Sequence, residues 1–391
     1  MSRKAENTLI VVVFGLALLV RLVFLAVVPV KPIAGGDPRA YEQTALNILR
    51  EGAIYSEEGH AFRPPLYPFF VAFVYLILGS DHQNIFLFQA LLSAISAVLL
   101  FQMLRSLGLL TALLGGGLFV VHPLILFYTK QVLTESLYIF LLSLLIYLAL
   151  QVRERGLKSA ICLGLVMGLA TLCRSDSVLL SALLLIALFV FQRGQFSRKL
   201  TTVFVVFIAY LLTLSPWLTR NMITVGAPVL STNGGITFYQ GNSPEATGGY
   251  INLEFSREVP NGELARNDYF FQEGFEYIRA NSKTYPLLLR KKLVALWSPN
   301  GNFILDLSDI LLIPFSIIGL VLALWDRLKW HLYAFMASPI VSVTITALIF
   351  HGERRYRTPM YVSLIFFASI PLAIVTQRLI QGLAKRHWIL V

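Results

Sequence analysis

The chain has 391 residues, of which 57% are hydrophobic and 14% are charged, whereas a soluble domain carries about 25% charged residues. This composition, with a mean hydropathy of +0.71, excludes a soluble globular protein and predicts an all-α polytopic membrane protein. The formal net charge is +11, but the basic residues form short clusters between apolar runs, without the basic, aromatic-rich face of a nucleic-acid binder. We therefore expect the membrane lipid bilayer, and no nucleic acid, as a partner.

The N-terminus has a short basic segment followed by an apolar run over residues 8–30. This run is too long for the hydrophobic region of a typical signal peptide, and the sequence Val-Val-Pro-Val-Lys at its end is a poor match to a cleavage site of small residues. The run is long enough to span a bilayer. We therefore expect a retained signal anchor with a cytoplasmic N-terminus.

Ten further apolar runs follow, at residues 64–79, 84–107, 109–127, 133–151, 158–173, 176–192, 200–219, 304–325, 330–350 and 359–377. If the basic connectors between runs are cytoplasmic, an even number of crossings separates each pair of connectors, and one early run cannot cross. The run at 64–79 offers about fourteen residues, short of the roughly 20 that a span needs. We expect a re-entrant or juxtamembrane helix there, and about ten transmembrane helices in all.

The same count divides the chain into three parts. Residues 1–220 form an N-terminal transmembrane module with its first outer loop at 31–65, residues 221–303 form a non-cytoplasmic loop, and residues 304–391 form C-terminal transmembrane helices. Within the loop at 221–303 we expect a helix over about residues 264–281 and an amphipathic helix at the membrane surface over 285–297. The charged residues of the first outer loop, of this loop and of the connectors near 135, 174 and 351–357 all fall on the non-cytoplasmic face.

Asp37 is the first candidate for chemistry. It is the first carboxylate after the anchor, and ionisable groups beside a bilayer are costly and usually mark a pathway or a site. Such a carboxylate could accept a proton from an acceptor hydroxyl or amine, but the glycines before it and the proline after it also suit a helix N-cap. Arg63 lies where the chain re-enters the membrane, and a snorkelling side chain is the alternative there.

A cluster of three arginines and a tyrosine precedes the last apolar run, in the sequence HGERRYRTP at residues 351–359. These cations fall on the non-cytoplasmic side, where the positive-inside rule does not explain them. The planar guanidinium group matches the oxygens of a phosphate. We therefore expect an anionic headgroup to be bound by Arg354, Arg355, Tyr356 and Arg357, with a surface ion-pair network around Glu353 as the alternative.

Glu135 follows Thr134 at the start of a predicted transmembrane helix, so it could act in a site or belong to a helix cap. Arg174 could bind substrate or pair with Asp176. We expect further substrate-binding residues among the polar side chains of the same face: Arg39, Tyr41, Glu42, His60, Arg174, Arg220 and His351. No spacing of His, Cys, Asp and Glu resembles a metal-ligand set, so no metal ligand is predicted, although a divalent metal stays open as a cofactor.

Several motifs occur in a recognisable order: GDPxxY from residue 36, RPPLYP from 63, TE at 134, PWxxRN and STNGGxxFYQGN between 216 and 242, and RYRxP from 355. In this order they resemble the membrane glycosyltransferases of the GT-C superfamily. More narrowly, the chain is similar to the bacterial protein-mannosyltransferase-like members (families 39 and 83), which are similar to the lipid A aminoarabinose transferases. The resemblance extends from Arg21 to about Leu372.

The resemblance implies a GT-C-like fold and an inverting transferase in the bacterial inner membrane. Such an enzyme takes a sugar from a polyprenyl-phosphate carrier at the periplasmic side and gives it to an acceptor, which is a glycan, a lipid or a protein. By the family's pattern, Asp37 is the general base and Glu135 is the second acidic residue of the site. The carrier phosphate is then held by Arg63, Arg355, Tyr356 and Arg357. A re-entrant juxtamembrane helix is also common in the family.

Two departures from the family's pattern change what we expect. No C-terminal periplasmic domain follows the last apolar runs, so we expect the contribution of such a domain in larger relatives to be missing. Phe62 and Arg63 stand before the prolines in place of an acid and a base, which puts a bridging metal in doubt. The alternative function is a lipid or glycolipid transporter or flippase, in which the same charges line a pathway through the membrane; its usual repeated halves are not evident in the sequence.

Overall fold

A computed structural model describes residues 3–29, 35–253, 259–299 and 301–387. The first four residues of the predicted first outer loop (31–34) and residues 254–258 and 300 of the second loop lie outside these ranges. The described residues form α-helices and two short 3-10 helices, at Arg327–Lys329 and Thr358–Met360, and contain no β-strand. The predicted all-α class is therefore confirmed.

The helices are α1 (Arg3–Val27), α2 (Gly36–Glu51), α3 (Leu66–Leu78), α4 (His82–Arg105), α5 (Leu109–Val121), α6 (Pro123–Thr129), α7 (Glu135–Arg155), α8 (Leu157–Cys173), α9 (Ser177–Phe191), α10 (Phe196–Thr224), α11 (Gly234–Gly241), α12 (Glu263–Ala280), α13 (Tyr285–Trp297), α14 (Phe303–Trp325), α15 (Trp330–Ile349), α16 (Arg354–Arg357) and α17 (Tyr361–His387).

Within the described ranges, seven helices are long and apolar enough to cross a membrane, and α5 with α6 forms an eighth span if this pair, bent by 50°, crosses as one. The seven are α1, α4, α7, α10, α14, α15 and α17, the last two together with the short helices that precede them. Three shorter apolar helices, α3, α8 and α9, have 13 to 17 residues. The protein is therefore a multi-pass membrane protein, and the count of ten crossings stays a prediction that would require α8 and α9 to cross as well.

The helices approach one another most closely at small residues, as is common where lipid surrounds a bundle. A Cβ atom on Gly164 of α8 would lie 2.3 Å from the carbonyl oxygen of Val206 in α10. In the second half of the chain, a Cβ atom on Gly319 of α14 would lie 1.9 Å from the carbonyl oxygen of Phe367 in α17. The backbones of both helix pairs therefore touch, with no room for a side chain.

The centre of the bundle contains α7 and the first half of α17; the described side chains of α7 are buried or half-buried, and those of the first half of α17 are almost all buried. The outer helices, α1, α3 and α10 among them, expose large apolar side chains, as a lipid-facing surface requires. Glu135 is the first residue of α7, and α16 is separated from α17 only by the 3-10 helix Thr358–Met360. The charged residues that the sequence singled out therefore lie at one end of the most buried part of the molecule.

The loop at 221–303 contains α11, α12 and α13. The helices expected over residues 264–281 and 285–297 are found at Glu263–Ala280 and Tyr285–Trp297. Unlike a helix that lies freely on the membrane surface, α13 contains a fully buried lysine, Lys292. Its ammonium group donates to Asn242 Oδ1 at 2.8 Å and to the carbonyl oxygen of Leu348 at 2.9 Å, and burial lowers the pKa of Lys292 to about 7. Lys292 therefore fastens α13 to α11 and to the end of α15.

The close approach of α14 and α17 gives a first prediction. Gly319→Ala should destabilise the protein by about 1–3 kcal/mol, the range for inserting a methyl group into a packed interior, because its Cβ atom would meet the backbone of Phe367. The measurement is Tm in detergent. Gly117→Ala is the matched control, since a Cβ atom at that helical glycine meets nothing within 4 Å. Equal Tm values for the two variants would contradict the packing described here.

Candidate active site

Asp37 lies in the first turn of α2, which the chain enters through Gly36 at a φ of +65°, a conformation that favours glycine. Its carboxylate is held from both sides by guanidinium groups. Arg63 Nη2 donates to Oδ1 at 2.6 Å, and Arg355 Nη1 donates to Oδ2 at 2.5 Å. The N-cap of α2 is Gly35, without a side-chain capping bond. Asp37 therefore binds two arginines and does not cap its helix.

Arg63 connects Asp37 to the rest of the first outer loop. Its guanidinium group also binds the carboxylate of Glu58, and it lies 5.0 Å from the ring centre of Phe62 and 5.6 Å from that of Tyr41. Its side chain is 13% exposed. Arg63 is thus held within the loop by two carboxylates and two aromatic rings, and it does not extend towards solvent as a snorkelling arginine does.

Arg355 continues the chain of charges into the membrane bundle. Its Nε donates to Glu135 Oε1, and Glu135 is fully buried at the start of α7. The N-cap of α7, Thr134, also makes no side-chain capping bond. Arg174 Nη1 lies 3.8 Å from Glu135 Oε1, and Arg174 makes a two-pronged bond to Asp176. We call the alternating set Arg63, Asp37, Arg355, Glu135 and Arg174 the Asp37 network.

The positive charges of the Asp37 network keep the Asp37 carboxylate ionised. Burial alone would raise the pKa of Asp37, but the positive charges and hydrogen bonds of Arg355 and Arg63 outweigh burial and lower it to about 2. Glu135 Oε2 has no hydrogen-bond partner within the described ranges. In the part of the chain that the structure describes, no group of three or more His, Cys, Asp and Glu residues is arranged to hold a metal ion.

The predicted arginine cluster divides between two sites. Arg355 belongs to the Asp37 network, whereas Arg354 and Arg357 turn to Asp309 in α14, at 2.7 Å and 2.5 Å. Arg354 also binds Asp306 at 2.5 Å, and Tyr361 donates to Asp309 Oδ1. We call Asp306, Asp309, Arg354, Arg357 and Tyr361 the Asp309 cluster. The arginines thus form specific buried pairs, in place of the surface network around Glu353 that was the alternative.

Tyr356 and His351 lie beside the network without forming ion pairs with it. The Tyr356 ring is 5.7 Å from the guanidinium carbon of Arg174 and 5.1 Å from the His351 ring. His351 is fully buried, with Nε2 3.9 Å from Glu353. Tyr41, also buried, lies under Arg63.

Three of the predicted substrate-binding residues lie elsewhere in the first outer region. Arg39 is exposed and pairs with Glu57 at 3.5 Å. Glu42 accepts hydrogen bonds from Tyr75 and His82. The contacts of His60 with Glu263 and Arg220 use its backbone amide and carbonyl groups and not its side chain.

Arg220 and Glu263 fasten the first outer loop to the loop at 221–303. Arg220 donates to the carbonyl oxygens of Ile54 at 2.5 Å and of His60 at 2.8 Å, and it lies over the Trp217 ring. Glu263, the first residue of α12, accepts from the backbone amides of residues 60 and 61. Arg220 thus supports the loop that contains Arg63. Glu263 was not predicted, because an acidic residue in the first turn of a helix is common without any site.

A cavity of about 1050 Å³, which we call the Arg355 cavity, lies next to Arg355, between α6, α13 and the start of α14. Its apolar lining includes Leu124, Phe127, Leu287, Val294 and Leu305. The cations on its wall are Arg290, Lys291, Arg354 and Arg355. Arg355 therefore takes part in both the Asp37 network and the cavity.

A second cavity, of about 290 Å³, lies near the other end of α4 and α7 and is lined by polar residues such as Gln102, Tyr147 and Arg193. It also includes Gln151, which lies about 24 Å along α7 from Glu135 at 1.5 Å per residue. The two cavities share no lining residue. They are therefore separate openings at opposite ends of the bundle.

Part of the sequence matches a known family, and the fold matches solved structures. Residues 62–219 match the family model described as dolichyl-phosphate-mannose-protein mannosyltransferase. A search of curated protein sequences gave no match. Among solved structures, the archaeal oligosaccharyltransferase AglB from Archaeoglobus fulgidus, in complex with an inhibitory peptide and a dolichol-phosphate, matches with a TM-score of 0.60 at 13% identity, over 98% of this chain and 52% of that chain.

The chain thus spans about half the length of AglB. ArnT from Cupriavidus metallidurans in the apo state matches with a TM-score of 0.43 at 14% identity, over 94% of this chain and 77% of that chain. The same protein bound to undecaprenyl phosphate gives a TM-score of 0.41 at 13% identity, over 94% and 78%. The resemblance expected from the motifs is confirmed: the chain is a polytopic membrane protein with the GT-C fold, and its residues 62–219 match the mannosyltransferase family model.

Proposed function

We propose that the protein is an inverting glycosyltransferase that moves a sugar from a polyprenyl-phosphate carrier to an acceptor. The observation that carries this proposal is the position of Arg355, which binds Asp37 and also lines the Arg355 cavity. A carboxylate that can accept a proton thereby lies beside cations that can hold a phosphate. We place the site at the periplasmic face of a bacterial inner membrane, with the N-terminus in the cytoplasm, because the basic connectors then fall inside.

The cavity suits a lipid that carries a phosphate. Its apolar lining residues, such as Phe127, Leu287 and Val294, would contact the polyprenyl chain, and the cations Arg290, Lys291 and Arg355 would face the phosphate. Its volume, about 1050 Å³, is just above the range for small-molecule sites, which is about 300–1,000 Å³. The AglB structure, which has the same fold, contains a dolichol-phosphate, and we propose the same class of ligand here.

Without a donor, Asp37 is a weak base, because two guanidinium groups lower its pKa to about 2. We infer that the carrier phosphate competes with Asp37 for Arg355 and Arg63. When the phosphate takes some of these hydrogen bonds, the arginines lower the pKa of Asp37 less. Burial, which raises that pKa, then has the larger effect, and the carboxylate becomes a stronger base. Donor binding would thus prepare the base before the acceptor reacts.

In the proposed reaction, the acceptor oxygen or nitrogen attacks the anomeric carbon from the face opposite the phosphate. The new glycosidic bond forms as the bond from the anomeric carbon to the phosphate oxygen breaks, and the bonding electron pair stays on that oxygen. The acceptor's proton passes to a carboxylate oxygen of Asp37. The guanidinium groups stabilise the leaving phosphate, whose charge increases in the transition state.

Glu135 has a different role in this proposal. It is fully buried and binds Arg355, whereas the Asp37 side chain is 31% exposed. Its charge offsets that of Arg355 inside the bundle, where an unpaired cation is costly. We therefore propose that Glu135 positions Arg355 and does not act on the substrate itself.

The transporter alternative has less support. The charges of the Asp37 network gather at one end of the bundle, and the second cavity, near the other end of α7, shares no lining residue with the first. A transport pathway would need charged residues along its length through the membrane.

The base is tested by Asp37→Asn. This variant should lose transfer almost completely, because the amide cannot take the acceptor's proton. Cells that lack the protein are complemented with each variant, and the lipid and glycan products are compared by mass spectrometry. Glu57→Gln is the matched control in the same loop, since Glu57 is exposed and lies outside the network. Transfer near the wild-type level by Asp37→Asn would remove Asp37 from the mechanism.

If donor binding raises the pKa of Asp37, the pH profiles of kcat/KM and of kcat should fall at different acidic pH values. For kcat/KM with respect to the donor, the rate reflects the donor-free enzyme, so it should stay flat from pH 8 down to about pH 4, since the pKa of Asp37 is then about 2. For kcat, which reflects the donor complex, the rate should fall at a higher pH because the base there has a higher pKa. Two profiles with the same acid limb would contradict the competition for the arginines.

Arg355→Ala should weaken binding of undecaprenyl phosphate by about tenfold or more, because a hydrogen bond to a charged group contributes about 1.5–3 kcal/mol. Affinity can be measured by native mass spectrometry or by thermal shift in detergent. Arg279→Ala, which removes an exposed cation from the last turn of α12, is the control and should bind as the wild type does. If Arg355→Ala binds equally well, the phosphate does not lie at this cavity.

A further inference from the structure

We propose that Asp309, a carboxylate inside the membrane helix α14, is a positioning residue that directs Arg355 towards Asp37. The inference rests on the proposed function, because its consequence is measured as transfer. Asp309 is buried and does not line the Arg355 cavity. Its effect on the reaction would therefore pass through the arginines that it holds.

Asp309 is the centre of the Asp309 cluster. Its Oδ2 accepts from Arg354 Nη2 at 2.7 Å and from Arg357 Nη2 at 2.5 Å, while Oδ1 accepts from the Tyr361 hydroxyl. These three donors come from α16 and from the first residue of α17. One carboxylate on α14 thus binds three side chains of an eight-residue segment of the chain, at Arg354, Arg357 and Tyr361.

The spacing of these donors sets the direction of Arg355. Residues three apart share a face of a helix, and each residue turns the side chain by about 100°. Arg354 and Arg357, three apart in the four-residue helix α16, both point to α14. Arg355 must then point away from α14, and the residues in that direction are Asp37 and Glu135.

The charges of the Asp309 cluster support the same role. Asp306 and Asp309 offset Arg354 and Arg357, so two negative charges meet two positive charges. Arg357, with a side chain that is 1% exposed, is thereby directed away from Asp37. Of the three arginines in α16, Arg355 is the one that binds Asp37.

The substitution Asp309→Asn keeps the shape of the side chain and removes its charge. Arg354 and Arg357 then lose their shared partner, α16 is free to turn, and transfer should fall by about a hundredfold, as is typical for a displacement of about 1 Å in a site. Asp309→Glu should restore part of the lost rate, since it restores the charge. Asp326→Asn, at the far end of α14, is the control and should transfer as the wild type does.

A double-mutant cycle separates positioning from general damage to the fold. If Asp309 acts through Arg355, the double variant Asp309→Asn, Arg355→Ala should transfer no more slowly than Arg355→Ala alone. A further decrease in the double variant would overturn the proposal. If Asp309→Asn does not yield folded protein by size exclusion and Tm, Tyr361→Phe, which removes one hydrogen bond to the same carboxylate, takes its place in the cycle.

The pH at which the rate falls in acid is a second measurement, and a purely structural role of Asp309 would leave that pH unchanged. When Arg355 no longer holds Asp37, the acid limb of kcat/KM for the donor should shift to higher pH in Asp309→Asn. An unshifted limb in a variant with reduced transfer would contradict the proposal. Wild-type transfer by Asp309→Asn, alongside inactive Asp37→Asn, would refute this inference alone, whereas active Asp37→Asn and Arg355→Ala would refute the proposed function itself.

Discussion

The contact between the Arg355 guanidinium group and the Asp37 carboxylate joins residues that are 318 positions apart in the chain. Burying either group alone would be costly, because the energy of removing an ion from water is recovered only with a well-placed partner. Each charge of the Asp37 network meets this requirement through the next, from Arg63 to Arg174. The first outer loop, α7, the end of α8 and α16 are therefore bound to one another by electrostatics at one end of the bundle.

The sequence predicted much of the site because position along the chain is informative in a membrane protein. Asp37, Glu135, Arg174 and Arg355 were selected because they lie at or near the ends of apolar runs on one predicted face, and the structure brings them into one network. The helices of the second loop were also predicted almost to the residue. Both results depend on patterns of a few residues, which a single sequence displays.

Features that depend on helix rotation or on packing could not be predicted in this way. The sequence treated the three arginines before the last helices as one phosphate site, but the rotation of α16, which assigns Arg355 to one partner and Arg354 and Arg357 to another, depends on contacts with α14. Asp309 was missed because an acid within an apolar run gives no sign of what lies opposite. The number of crossings stays open because α8 and α9 have 17 and 15 residues, near the lower limit for a span.

The two fastenings between the outer loops, at Arg220 and Glu263, have a consequence for how such a protein can vary. Both grip the main chain of the first outer loop, at the carbonyl oxygens of Ile54 and His60 and at the amides of residues 60 and 61. Every residue has these main-chain atoms, except that proline lacks the amide hydrogen, so substitutions other than proline at residues 54 and 60 leave the fastenings in place. The exposed side chains of that loop can therefore change during evolution while Arg63 stays in position.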